Sequence, residues 1–541
     1  MTPPVSSAPD GFLCLVLHAH LPFVRHPEHE DFLEEDWLFE AITETYIPLL
    51  QVLEGLERDG VACRLTMSLT PSLIEMLNDP LLRRRYTRHL ARLCELAARE
   101  VERTQHLPDF QATAQMYLER FSRARADYAQ RWHGDLVGAF ARLQETGRLE
   151  IITCAATYGF LPLLRVNPAA VRAQIAVAVQ HYTETFGRAP RGIWLPECGF
   201  YPGLDEVLKD FGLRYFFVDG HGIEHATARP KFGVHAPLFC PGGVAAFGRD
   251  PESSQQVWSA EQGYPGDADY REFYRDIGFD LELDYLRPYI HRAGIRINTG
   301  IKYHRITGRT EAKEPYVRAA ALAKAAVHAA HFVKARQKQA TALRAKLGRA
   351  PVIVAPYDAE LFGHWWFEGP EWLEAVLRAL AGQSRLQLAT PADYLAAQPV
   401  QQLAMPAASS WGSKGHHEIW LNAATDWIYP HLHVAADRMA ALARRFPAAR
   451  GLRRRALNQA ARELLLAQSS DWAFIMSRGT FTQYAAQRTR GHLLAFNELR
   501  DALLLDAVRP ARLAALEQQD NIFPTLDYRV YSPREKTGEK T

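Results

Sequence analysis

At 541 residues the chain is too long for one compact domain, so two or three folding units are expected. Its 63 basic side chains almost balance its 61 acidic ones, a net charge of +2, which leaves no electrostatic case for nucleic acid or for an anionic membrane. No run of 18 apolar residues occurs, so no membrane span is expected, and the 11 Trp and 21 Tyr supply flat amphipathic rings of the kind that hold sugar faces as well as fill cores.

The opening MTPPVSSAPDG has neither a basic start nor a leader-like apolar run. Cys14, Cys63, Cys94, Cys154, Cys198 and Cys240 lie far apart, with no CxxC pair, and read as reduced, buried thiols of a cytoplasmic protein. Phe12–Leu17 is apolar at every position and stops at His18-Ala19-His20-Leu21-Pro22, the pattern of a strand buried on both faces. Residues 40–58 and 79–147 are helix-like, and the second stretch is long enough to be a helical insertion. Leu149–Ala155 is strand-like and ends at Tyr158-Gly159-Phe160. A helix over 169–187 leads to Arg191–Leu195, which ends at Pro196-Glu197-Cys198-Gly199, and Tyr215–Val218 ends at Asp219-Gly220-His221.

Residues 223–270 are rich in Gly, Pro and polar side chains with little periodicity, as expected of a functional loop or lid. A helix-like region over 312–346 precedes Pro351–Ala355, the last clear strand, which ends at Tyr357-Asp358-Ala359-Glu360. After a connector near 396–408 the chain is mainly helical from 432 to 512, and the polar tail from Ser532 reads as frayed. Strands alternate with helices, and a polar cluster recurs at the strand's C-terminal end. In a parallel α/β barrel those ends converge on one mouth. An α/β barrel with a helical C-terminal domain is therefore expected: residues 1–395 as barrel, with insertion 79–147 and lid 223–270, then a Trp-rich connector over 396–431 and helices over 432–541. A doubly wound open sheet is the alternative, but no GxGxxG follows the first strand.

Glu197, between Pro196 and Gly199 on a stiff and then permissive turn, is suited to nucleophile or metal-ligand work, or to a merely structural role. Asp358 follows a strand directly and is surrounded by Tyr357, Phe362, Trp365 and Trp366; burial there raises a carboxyl pKa, as a general acid requires, although an N-cap is the plainer reading and Glu360 a rival. Two carboxyl groups from different strands of one barrel suit glycosidic bond cleavage, at a separation of about 5–5.5 Å if configuration is retained. His18 and His20, at i and i+2 of an extended segment, face one way; they either bind sugar hydroxyls and support the nucleophile or hold a divalent metal, as in a metal-dependent deacetylase or amidohydrolase. The loop Ser409–Asn422 carries Trp411 and Trp420 among Gly and polar residues, a stacking surface for a polysaccharide, with core packing the competing role for Trp420. Asp471, in an apolar helix, needs a partner, whether ligand or backbone.

The ordered motifs HAHLP (18–22), ATYGFLPLL (156–164), GIWLPECGF (192–200), APYDAELFGHWWFEG (355–369) and WGSKGHHEIWLN (411–422) resemble glycoside hydrolase family 57 over nearly the whole chain. The resemblance implies an incomplete seven-stranded β/α barrel with inserted and C-terminal helices, Glu197 as nucleophile and Asp358 as acid/base. It also implies glucan contacts from Arg249, Gly266, Trp411 and Asp471. The expected substrate is α-glucan and the expected reaction is retaining transfer that turns an α-1,4 linkage into an α-1,6 branch, with α-1,4 redistribution or hydrolysis as alternatives and no cofactor or metal required. One position departs: Tyr158 stands where many members carry a histidine.

Overall fold

The computed structural model describes residues 9–259, 263–383 and 385–532; the expected frayed tail falls, from residue 533 on, outside the described residues, as do the first eight residues and 260–262 of the expected lid. Its centre is a ring of parallel strands: β1 (Gly11–Ala19), β2 (Leu65–Leu69), β3 (Leu149–Ile152), β4 (Gly192–Ile193), β5 (Tyr215–Val218), β6 (Ala245–Gly248) and β7 (Val352–Asp358). β1 pairs with β2 and β7, β2 with β3, β4 with β5 and β5 with β6, all in parallel. Two seams close the ring more thinly. Thr153 bridges to Ile193 between β3 and β4, and the Asp250 amide after β6 donates to the Val354 carbonyl of β7 at 2.9 Å. This is an incomplete seven-stranded barrel.

A parallel ring demands strands that are apolar on both faces, and every residue of β1 is buried. Cys14 and Val16 fall in the interior cluster with Trp194, Phe217 and Phe247, whereas Leu13, Leu15 and Leu17 pack outward on the surrounding helices. By the two-residue period of a strand, His18 continues the interior row to the mouth. Asp358 is its register partner on β7, so the imidazole and the carboxyl are delivered at the same level by neighbouring strands.

Between β2 and β3 run helices Pro80–Arg103, Pro108–Ala126 and Leu136–Glu145. The first starts at Asp79, whose side chain accepts the Leu81 and Leu82 amides, and has Pro80 where a helix tolerates it. The helix expected over 312–346 begins instead at Arg318 and ends at Leu347, because Pro315 lies in an extended stretch that bridges His304, with the Tyr316 amide donating to the Tyr303 carbonyl and the Arg305 amide to the Glu314 carbonyl. C-terminal helices span Ile428–Arg445, Gly451–Ala467, Ser470–Arg478, Thr482–Leu504 and Pro510–Gln519. Among the described residues no helix is long and apolar enough to cross a membrane.

Two of the seven ring strands are absent from the sequence reading. β2 is a short Leu-Thr-Met-Ser-Leu segment whose alternation is too brief to stand out. β6 lies inside the stretch read as an irregular lid: 223–270 contains this barrel strand, an antiparallel partner at Leu238–Phe239 and a helix at Pro251–Trp258. Ala-Ala-Phe-Gly has no strand pattern of its own; pairing with β5 makes it a strand.

Candidate active site

The turn after β4 is built around Glu197. Both Glu197 (φ 59°) and Cys198 (φ 51°) sit in the left-handed region, which costs energy in non-glycine residues and persists only where neighbours hold it. The holders are visible. The Glu197 amide donates to Tyr158 Oη at 3.4 Å, and its carbonyl accepts the Trp411 amide at 3.0 Å. The Trp411 indole N–H donates to Glu197 Oε2 at 2.6 Å. Gly199 is required beside it, because a Cβ there would lie 2.5 Å from the Phe160 ring. Burial pushes the Glu197 carboxyl up to about 8, opposed by the Trp411 hydrogen bond and reinforced by Asp471 and Asp358.

Asp358 ends β7 and faces the same cleft, of about 770 Å³, at the C-terminal mouth of the ring. Burial raises its carboxyl to about 6, against the lowering influence of Arg249, His20 and the Trp258 indole. The rise agrees in direction with the sequence expectation, but Glu197 is raised further. Glu360, the rival acid, accepts from Tyr46 Oη at 2.5 Å and from the His20 amide at 3.3 Å, and burial lifts it to about 8.

His18, His20 and Tyr158 form one stack behind these acids. The Tyr158 ring lies 3.7 Å from that of His20, and its hydroxyl 3.0 Å from His18 Nε2. Burial holds His18 well below its ordinary pKa, and its Nε2 shares a hydrogen bond with the Tyr158 hydroxyl, which also accepts from the Glu197 amide. His20 bonds Thr70 Oγ1 through Nδ1 at 3.1 Å and Asp471 through Nε2 at 3.0 Å. Three of the four ring nitrogens are thus engaged with protein groups in a hydrogen-bonded stack. Among the described residues, the donors close enough together for a metal are instead Glu463, His492 and Asp520 in the C-terminal helices. There His492 Nδ1 is 2.8 Å from Glu463 and the Arg488 guanidinium 3.6 Å from Asp520, so the buried acids already face a cation and a hydrogen bond of the protein's own.

Of the residues singled out by sequence, Glu197, Asp358, His18, His20, Arg249, Trp411, Trp420 and Asp471 all line the one cleft. Arg249 stacks 5.7 Å from the Trp411 ring and donates to Ser254 at 2.8 Å. Trp420 is almost wholly buried, stacked on Phe160 at 4.4 Å, so it packs as core and reaches the cleft only by an edge. Gly266 does not line the cleft; its turn packs through Tyr264 and Asp267 on the Arg318–Leu347 helix. Sequence reasoning missed Trp258, Trp365 as an exposed cleft wall, Phe474 and Arg478. Trp258 had a legible signal, a lone tryptophan in a polar stretch; Phe474 and Arg478 had none, being ordinary helix positions one turn and two turns beyond Asp471.

A barrel mouth that gathers raised carboxyls and flat rings without a dinucleotide loop has the form of a carbohydrate-active enzyme. The model of glycosyl hydrolase family 57 matches residues 14–341, and the model of the 1,4-alpha-glucan branching enzyme C-terminal region matches 431–531. The chain belongs to glycoside hydrolase family 57. It is similar to a 1,4-alpha-glucan branching enzyme of Thermococcus kodakarensis, at 36% identity over 95% of this chain and 77% of that one. Among solved structures it is similar to one described as a novel alpha-amylase of Thermotoga maritima, at 47% identity, TM-score 0.91, covering 97% of this chain and 99% of that one. A family 57 branching enzyme of Pyrococcus horikoshii follows at 34% identity, TM-score 0.87, with 97% of each chain covered.

Proposed function

We propose that the chain is a 1,4-α-glucan branching enzyme that works by retaining transglycosylation. Glu197 attacks the anomeric carbon of an internal α-1,4 linkage while Asp358 protonates the departing oxygen. The freed chain end leaves, and Asp358, now a base, takes the proton of an incoming glucose 6-hydroxyl as its oxygen displaces Glu197 from the anomeric carbon. The chain's own carboxyl groups suffice for every step. The observation that carries the reading is the junction of the two matched regions. Asp471 and Phe474, inside the part that resembles branching-enzyme C-termini, wall the cleft that holds Glu197 and Asp358. We take 1–395 as the catalytic unit, 396–431 as the connector that brings Trp411, and 432–541 as the helical unit.

Hydrolysis is the second reading, and the likeness to the Thermotoga structure described as an α-amylase favours it. Incubation with amylose separates the two: new α-1,6 linkages are expected, and rising reducing sugar without them would overturn the branching reading. The Glu197→Gln variant is expected to lose at least ~10³-fold in activity, since an amide cannot serve as the covalent nucleophile. Six unpaired, buried cysteines support a reducing, cytoplasmic setting.

A further inference from the structure

The cleft has a second arm. A groove of about 630 Å³ opens beside it, and Leu21, Glu360, Trp365, Asp471 and Phe474 line both. Glu197 and Trp411 do not line this arm; it leaves from the β7 exit, the side that carries Asp358 and Glu360. Its walls are two aromatic pairs. Phe273 stacks on Trp365 at 4.5 Å, and Trp37 meets Phe481 edge-on at 5.1 Å. Trp365 and Phe481 remain 54% and 53% exposed, which leaves part of each ring open to a ligand. The polar lining is chiefly acidic: Asp36, Glu40, Glu360 and Asp471 against Arg296 and His364.

We propose that this arm holds the acceptor glucan during transfer. The inference rests on the roles given above to Glu197 and Asp358. In a retaining reaction the acid that protonates the leaving chain is the base that activates the acceptor, so both chains occupy the acid/base side in turn. The acceptor hydroxyl oxygen bonds to the anomeric carbon, the ester bond to Glu197 breaks, and the hydroxyl proton passes to Asp358. Aromatic faces bind the apolar faces of neutral sugar rings. Asp36 and Glu40, raised by burial, Asp36 to about 7, offer protonated carboxyls to sugar hydroxyls.

The test uses the full chain and its Trp37→Ala and Phe481→Ala variants, each checked for an unchanged unfolding midpoint. The readout is the ratio of glycosyl transfer to reducing-sugar release on amylose. Loss of an acceptor platform leaves the glycosyl-enzyme to water, and the ratio is expected to fall about 10-fold, the scale of losing one aromatic anchor. Transfer and hydrolysis falling in parallel would assign the arm to the donor chain, and a ratio unchanged in both variants would leave it no part in binding; either result overturns the proposal. The parent assay keeps the two readings apart. If the parent transfers only to 4-hydroxyls, the branching assignment fails while the transfer ratio still tests the arm.

Discussion

Tyr158 is the residue on which the geometry of the proposed nucleophile turns. It receives the Glu197 amide, shares a hydrogen bond with His18 and stacks on His20, while its own φ of 60° is left-handed. Tyr158→Phe keeps the ring and removes the hydroxyl, so the Glu197 turn loses one of its holders. A fall of about 10- to 100-fold in kcat with little change in KM is expected, the cost of a small misplacement of a reacting atom. A raised KM with kcat intact would make Tyr158 a substrate contact instead. The acids allow a pH prediction. In the proposed reaction one proton is shared by Glu197 and Asp358, whose values burial raises to about 8 and about 6. Below the lower value both are protonated and no nucleophile exists; above the upper value both are ionised and no acid exists. The pH profile of kcat/KM should be a bell with limbs near those values, which belong to the pair rather than to either residue. A flat profile across that range would sink the paired-acid account.

At the scale of elements, the loop 409–422 acts as a clasp. Its Ser409 bridges Phe200, its Trp411 backbone binds the Glu197 carbonyl and its indole binds the carboxyl. The indole N–H stabilises the charged form of Glu197 and so lowers its pKa. Trp411→Phe removes that donor and should move the alkaline limb of the profile to higher pH while reducing kcat. The sequence marked this loop as a sugar platform from its tryptophans and glycines; that it grips the proposed nucleophile could not be read there, because the partners lie 214 positions apart. Elements follow the same rule. β1 and β7 were legible because strands buried on both faces are apolar throughout, whereas β6, only four residues in a Gly- and Pro-rich stretch, depends on the neighbours it pairs with.

On the scale of the whole molecule, the C-terminal helices are part of the site. Asp471 bonds His20 of β1's exit, so barrel and helical unit share one wall. Farther out, Arg25 after β1 donates to Asp79 at the head of the inserted helices at 2.8 Å and to the Gln518 carbonyl at 2.6 Å. Arg25→Ala leaves Asp79 buried without its cation and should destabilise the protein by about 3–5 kcal/mol, seen as a lower unfolding midpoint. A change below 1 kcal/mol would mean the junction is held elsewhere.

By itself the sequence determined the fold class, the family and the delivery of Glu197 and Asp358 at strand ends, because strand periodicity, strand-end polarity and motif order are local properties. Only the tertiary structure decided which groups touch: the left-handed turn at Glu197 clasped by Trp411 and Tyr158, the engagement of His18 and His20 in a hydrogen-bonded stack, the absence of Gly266 from the cleft, and the second aromatic arm. Those are contacts between segments hundreds of residues apart, and no short-range pattern encodes the distance between them.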